Sequence, residues 1–384
     1  MNPEKYNPTQ EEVNKAESMM TDEQRRASKI RAEYYEQEQP PWEDFTEKID
    51  ENFVRKRPYP EVVKTMNGSL EELGQAFEGS GLNWHLDGAL NISLMNGAGE
   101  NPEKYIGEHK DVDISVEKDE LEALEAQLLK SGYGLFLSRT EDKTKNKIMR
   151  RVNHRDFAES DAEHMLIAAI DENGKIRRDK ALNFVDVHII QRDEAGKPLG
   201  VSGTPIPEKW VQPQPIEFHD RQINISHPGK VLYYKLHQGR NYDITDAEKL
   251  IETGKITEED VDDIEKVYEG EFKANVERGR KIFEGFANQI RPEMNADEIF
   301  DLMQSQPEFK KREDMTDGLK ALATKIAESE DKSVDNILAV AIRLFGVEEK
   351  NNQKRQELDR MRQKVKDIKE VERTRNELKN KSEG

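Results

Sequence analysis

Apolar and polar positions alternate most cleanly along two stretches of the chain. In His109–Val116, Val112, Ile114 and Val116 fall on one parity, and Asp111, Asp113 and Ser115 fall on the other. A period of two is the signature of a strand with one face in a core. In the run ending at Ile190, Leu182, Phe184, Asp186, His188 and Ile190 share one face, and Val185, Val187 and Ile189 share the other. Shorter runs at 82–86, 133–138, 147–152 and 165–170 also read as strands, and 216–225 alternates enough for an edge strand. Asn173-Gly174 predicts a hairpin turn.

Helical spacing fills the intervals. Ser69-Leu70-Glu71-Glu72 has the form of a capping box and predicts a helix to about Phe77, ended by Gly79-Ser80-Gly81. Asp87-Gly88-Ala89-Leu90 predicts a turn into a short helix ending at Met95. Residues 117–130 bury Leu121, Leu124, Leu128 and Leu129 on one side, and Gly132 ends that helix. A helix is expected over 230–238, and everything beyond Asp246 reads as helical. In the charged run 353–378, Leu358, Met361, Val365 and Ile368 follow a heptad pattern for about two repeats, which suits a solvated helix or a homodimer seam. The predicted fold class is α+β: a mixed-sheet core with flanking helices and an all-α C-terminal region. The expected divisions are a helical and linker extension over 1–66, a sheet domain over 67–254, a helical bundle over 255–348 and a charged helix over 349–384.

Composition narrows the function classes. The chain has 384 residues, of which 34% are apolar and 36% charged, and no cysteine. That excludes disulfides, thiolate metal sites and cysteine nucleophiles, and suits a reducing, cytoplasmic setting. Met1–Glu12 has no apolar run and no stretch approaches 18 apolar residues, so neither a signal peptide nor a membrane span is expected. The net charge of −19 favours cationic partners. From Asn351 to Gly384 eleven Lys/Arg face seven Asp/Glu, a net of +4, which leaves −23 on the remainder. That tail is where a nucleic-acid contact would have to lie.

The alternating stretches also carry candidate chemistry. Asp111 and Asp113 on one strand face repel each other, and a divalent cation with hard oxygen ligands resolves the conflict. With acids at 79 of 384 positions, about fifteen acid-x-acid pairs arise by chance, so the context carries the weight. That context is the apolar opposite face, the glycine turn at Gly88, and Asp186 in mid-strand, where a carboxylate needs a partner or an ion. His188 suits a supporting group, a base or a core histidine. Lys235 suits a surface lysine or a phosphate contact.

Three segments together resemble the polymerase-β-type nucleotidyltransferases: Leu86-Asp87-Gly88-Ala89-Leu90, His109-Lys110-Asp111-Val112-Asp113 and Val185-Asp186-Val187-His188. The likeness is strongest to the branch with the aminoglycoside adenylyltransferases and abortive-infection nucleotidyltransferases. It covers about residues 69–254 and includes the helix near Lys235 followed by Arg240-Asn241-Tyr242-Asp243. The resemblance implies a nucleotidyltransferase domain in which Asp111, Asp113 and Asp186 hold Mg2+ and act catalytically. It implies that Gly88, Ala89 and Lys235 contact ATP or another nucleoside triphosphate. His109, Lys110, His188 and Arg240 would support the site. The implied reaction moves a nucleoside monophosphate, AMP first, to an acceptor hydroxyl, with a small cationic acceptor favoured. Two alternatives are a toxin-like transferase acting on tRNA or protein, and a non-catalytic helical scaffold with a degenerate core. The family's glycine pair is Gly88-Ala89 here, and the gap from Gly88 to Asp111 carries an inserted loop.

Overall fold

Among the described residues nine strands form one mixed sheet in the order β1-β5-β4-β6-β7-β3-β2-β9-β8. The computed structural model describes residues 43–45, 60–107, 112–140, 147–159, 164–177, 182, 184–310 and 315–382. Most of the helical and linker extension expected over 1–66, and the positions His109, Lys110 and Asp111, lie outside these residues. The strands are β1 (Glu43–Phe45), β2 (Trp84–Leu86), β3 (Val112–Glu117), β4 (Tyr133–Thr140), β5 (Lys147–Val152), β6 (His164–Ala169), β7 (Phe184–Ile190), β8 (Gln214–Phe218) and β9 (Arg221–Ile225). The chain packs as two units, one of residues 1–191 and 211–227, the other of 192–210 and 228–384. The second unit begins at Pro228 and also takes in the irregular segment 192–210.

The first unit holds the sheet. Its helices are α1 (Pro60–Phe77), α2 (Gly88–Met95), α3 (Leu121–Lys130) and α4 (His154–Ala158). The two alternating stretches become the parallel pair β3 and β7 at the centre. Val112, Ile114 and Val116 of β3 and Val185 and Val187 of β7 are buried in one core with Leu70 and Leu73 of α1 and Leu121, Leu124 and Leu128 of α3. Burying each such side chain contributes about 1.5–3 kcal/mol, which pins the register, because a one-residue slip would turn the acids inward. The pleat sends Asp113, Ser115, Asp186 and His188 to the opposite face.

Two details of this unit differ from the sequence reading. Helix α1 starts at Pro60, not at Ser69. Proline presets the first helical turn, and Met66, Leu70, Leu73 and Phe77 carry a buried stripe straight through Gly68-Ser69. Ser69 is thus buried in mid-helix, and Glu72 accepts from Tyr133 Oη and Leu182 N, each at 3.2 Å, instead of closing a capping box. The single edge strand expected over 216–225 is a hairpin, β8 and β9, turning at His219 with φ 51. Histidine tolerates this left-handed conformation better than most non-glycine residues.

The second unit is helical: α5 (Pro228–Gln238), α6 (Asn241–Glu252), α7 (Glu258–Ala287), α8 (Ala296–Ser305), α9 (Pro307–Lys310), α10 (Thr316–Glu328), α11 (Val334–Leu344) and α12 (Val347–Ser382). Two helices expected around 257–267 and 282–290 fuse into the 30-residue α7. Two of its glycines mark close approaches: a Cβ on Gly270 would lie 2.8 Å from Thr204 Cγ2, and one on Gly279 3.3 Å from Leu338 Cδ1. The C-terminal half of α7 shares a core with α8, α10 and α11, built on Phe286, Ile299, Met303, Leu322 and Ile337.

Helix α12 packs on α5, α6, α7 and α11 of its own chain. Leu358, Met361 and Val365 are 1%, 0% and 2% exposed, so the heptad stripe read as a dimer seam is occupied within the protomer. The tail's positive charge has a matching explanation. Arg360 and Lys364 each lie 2.7 Å from Glu248, Arg362 lies 2.6 Å from Glu265, and Lys369 lies 3.4 Å from Glu258. The basic helix complements acidic helices of the same unit. Among the described residues no helix is long and apolar enough to cross a membrane.

Candidate functional site

The register of β3 and β7 sets the site. Asp113 stands directly beside Asp186, and Ser115 directly beside His188. One ligand atom each from Asp113, Asp186 and His188 lie within 4.8 Å of one another. Both aspartates are half-buried and the imidazole is 51% exposed. Carboxylates paired across neighbouring strands repel at short range, and a cation between them removes the penalty.

The turn from β2 into α2 closes one side. Asp87 N donates to Asp113 O at 2.7 Å and ties the turn to β3. Gly88 has φ +68, and a Cβ on it would collide with Asp113 Oδ2 and lie 3.0 Å from Asp113 Cγ. Here glycine is required twice, by backbone conformation and by the close approach of the carboxylate. Helix α2 begins at this point, so its free N–H groups and positive dipole end lie beside the acidic pair. Ala89 is 5% exposed and does not take a positive φ. The position that demands glycine is Gly88. Gly88→Ala is expected to cost about 1–3 kcal/mol through strain at positive φ. The displaced Asp113 should also lower affinity for a divalent ion, which a metal titration alongside thermal unfolding would read.

Asp87 is the residue the sequence reading passed over as a turn residue. Its carboxylate is 5% exposed and accepts hydrogen bonds from Ser115 Oγ and Ser226 Oγ. His188 Nδ1 lies 3.6 Å from Asp87 Oδ2. Burial pulls the pKa of His188 down, but hydrogen bonding to Asp87 and the charges of Asp87, Asp113 and Asp186 outweigh it and raise it to about 9. A divalent ion at this imidazole would compete with its proton. The signal that could have found Asp87 is its place next to the positive-φ glycine; its partner Ser226 is 139 positions away.

Gly88, Asp113, Asp186 and His188 are therefore brought together from the expected set. Asp111, His109 and Lys110 lie outside the described residues. Lys235 and Arg240 belong to the second unit. Lys235 is buried with Nζ 3.0 Å from Asp243 Oδ1 and 2.8 Å from Asp246 Oδ2, so its ammonium is committed to carboxylates of its own unit. Arg240 caps α6, with Nε 2.6 Å from Asp243 Oδ2 and its guanidinium 4.5 Å from the centre of the Tyr242 ring.

The chemistry available is that of a divalent-ion site at a helix N-terminus: two oxygen ligands, one nitrogen ligand, and backbone donors suited to an anion. No protein-family model matches the chain, and no curated protein matches it in sequence.

Proposed function

We propose that the first unit is a divalent-ion-dependent nucleotidyltransferase, moving a nucleoside monophosphate from a triphosphate, ATP first, to an acceptor hydroxyl. The observation that carries this reading is the pairing of Asp113 with Asp186 on adjacent parallel strands, against the Gly88 turn that opens α2. A divalent ion such as Mg2+ held by these residues would neutralise the phosphate oxygens during in-line displacement. Gly88 leaves room for the Asp113 carboxylate to lie against the backbone at the start of α2. The N–H groups at the start of α2 orient the phosphate oxygens. Asp186 takes the proton from the acceptor hydroxyl as its oxygen bonds to the α-phosphorus and the bond to pyrophosphate breaks.

The acidic body of the protein favours a small cationic acceptor. The reading as a tRNA-directed enzyme drew on the basic tail, and that tail is paired with Glu248, Glu258 and Glu265. Equilibrium binding of labelled ATP to the full chain, with and without Mg2+, tests the proposal. Binding that needs the ion supports it. No binding of ATP or of the other three nucleotides under either condition would move the function away from transfer and towards a scaffold.

A further inference from the structure

We propose that Asp87 is a positioning residue that presents His188 as a nitrogen ligand, so that the centre prefers an imidazole-accepting divalent ion of the Mn2+, Co2+ or Zn2+ class over Mg2+. The inference rests on reading Asp113, Asp186 and His188 as an ion site, and it adds which ion and how the site selects it.

The argument starts from Asp87. Ser115 Oγ, on β3, donates to its Oδ2, and Ser226 Oγ, just after β9, donates to its Oδ1. Both oxygens are engaged and the side chain is nearly inaccessible. The carboxylate therefore cannot swing out to bind an ion itself. What it offers is a fixed negative charge 3.6 Å from His188 Nδ1. A carboxylate on one ring nitrogen fixes the orientation of an imidazole and raises the basicity of the other nitrogen. That assigns Nε2 to the ion. Ser115 sits beside His188 in the sheet register, so the same strand pairing that aligns Asp113 with Asp186 also aligns the support with the ligand.

The donor set then decides the metal. Mg2+ is hard, demands near-octahedral oxygen coordination and gains little from imidazole. Manganese and the later first-row ions accept one nitrogen with two carboxylates. A site needed only for Mg2+ would have no use for a histidine set beside a buried acid that two serines hold in place. Gly88 is the second observation: only a residue without a Cβ lets the Asp113 carboxylate lie against this turn, which fixes where that ligand stands.

The test is metal binding alone, on the full chain, without nucleotide. Co2+ is followed by its visible absorption and Mg2+ by calorimetry, for wild type, His188→Asn and Asp87→Asn. We expect Co2+ affinity to fall about 10–100-fold in both variants, with the spectrum altered and Mg2+ affinity essentially unchanged. His188 is half exposed, so its variant should fold. If Asp87→Asn does not fold, Ser226→Ala, which releases the same carboxylate on one side, takes its place with the same expectation. A selective loss in His188→Asn alone would overturn the role of Asp87. Equal losses for both ions, or no loss for either, would overturn the inference as a whole. Nucleotide does not enter the measurement, so failure of the transfer reading would show in ATP binding and leave these titrations interpretable.

Discussion

Lys235→Met is expected to destabilise the helical unit by about 3–5 kcal/mol, because it leaves two buried carboxylates without their shared cation. The ammonium is 8% exposed, and the Asp243 and Asp246 side chains are 0% and 4% exposed. Arg240 Nε, 2.6 Å from Asp243 Oδ2, would still hold Asp243, so most of the loss should trace to Asp246. Lys235→Met combined with Asp246→Asn should recover much of it, since an amide does not carry the buried charge. Hydrogen exchange of the α5 and α6 amides reads the effect locally, which suits a chain of two units. If Lys235 instead served a bound phosphate, the variant would keep its protection and lose only nucleotide affinity. Retained protection would sink the structural assignment.

The lysine also shows where sequence reasoning runs out. A lysine on an amphipathic helix has the same local pattern whether it faces solvent, phosphate or two buried aspartates. Asp243 and Asp246, eight and eleven positions on, are legible as helix-start residues, but not as its partners. Asp87 is a stronger case. Its importance comes from Ser115 and Ser226, and nothing local announces a pairing across 139 positions. The heptad stripe of α12 identifies Leu358, Met361 and Val365 as buried, but a stripe does not say whether the covering surface belongs to the same chain.

What was legible has a physical reason too. A strand with one face in the core must alternate, so an acid on the other face stands out against Val112, Ile114, Val185 and Val187. That pattern puts Asp113 on the polar face of one strand and Asp186 with His188 on one face of another, and says nothing of how the two strands pair. The register that makes Asp113 and Asp186 neighbours is a tertiary fact, set by packing of the two parallel strands against α1 and α3. The glycine at Gly88 was legible as a turn, whereas the collision that excludes a Cβ depends on where Asp113 lies.

Asp113→Asn and Asp186→Asn should each lower the proposed transfer by about 10²–10⁴-fold, the equivalent of losing several kcal/mol of charge stabilisation at the phosphate. The same substitutions should not weaken the fold. Among the described residues three carboxylates, those of Asp87, Asp113 and Asp186, act on the one imidazole of His188. Removing one carboxylate relieves repulsion between neighbouring strands, and the melting temperature without added divalent ion should hold or rise. Wild type should gain stability when Mn2+ or Mg2+ is added, by the linkage of ion binding to the folded state, and the variants should gain much less. Opposite signs for activity and stability separate a binding centre from a structural ion network, in which every loss of a partner lowers stability. A melting temperature that falls in both variants, with the ion-induced gain preserved, would place Asp113 and Asp186 in such a network and remove the basis for transfer at this site.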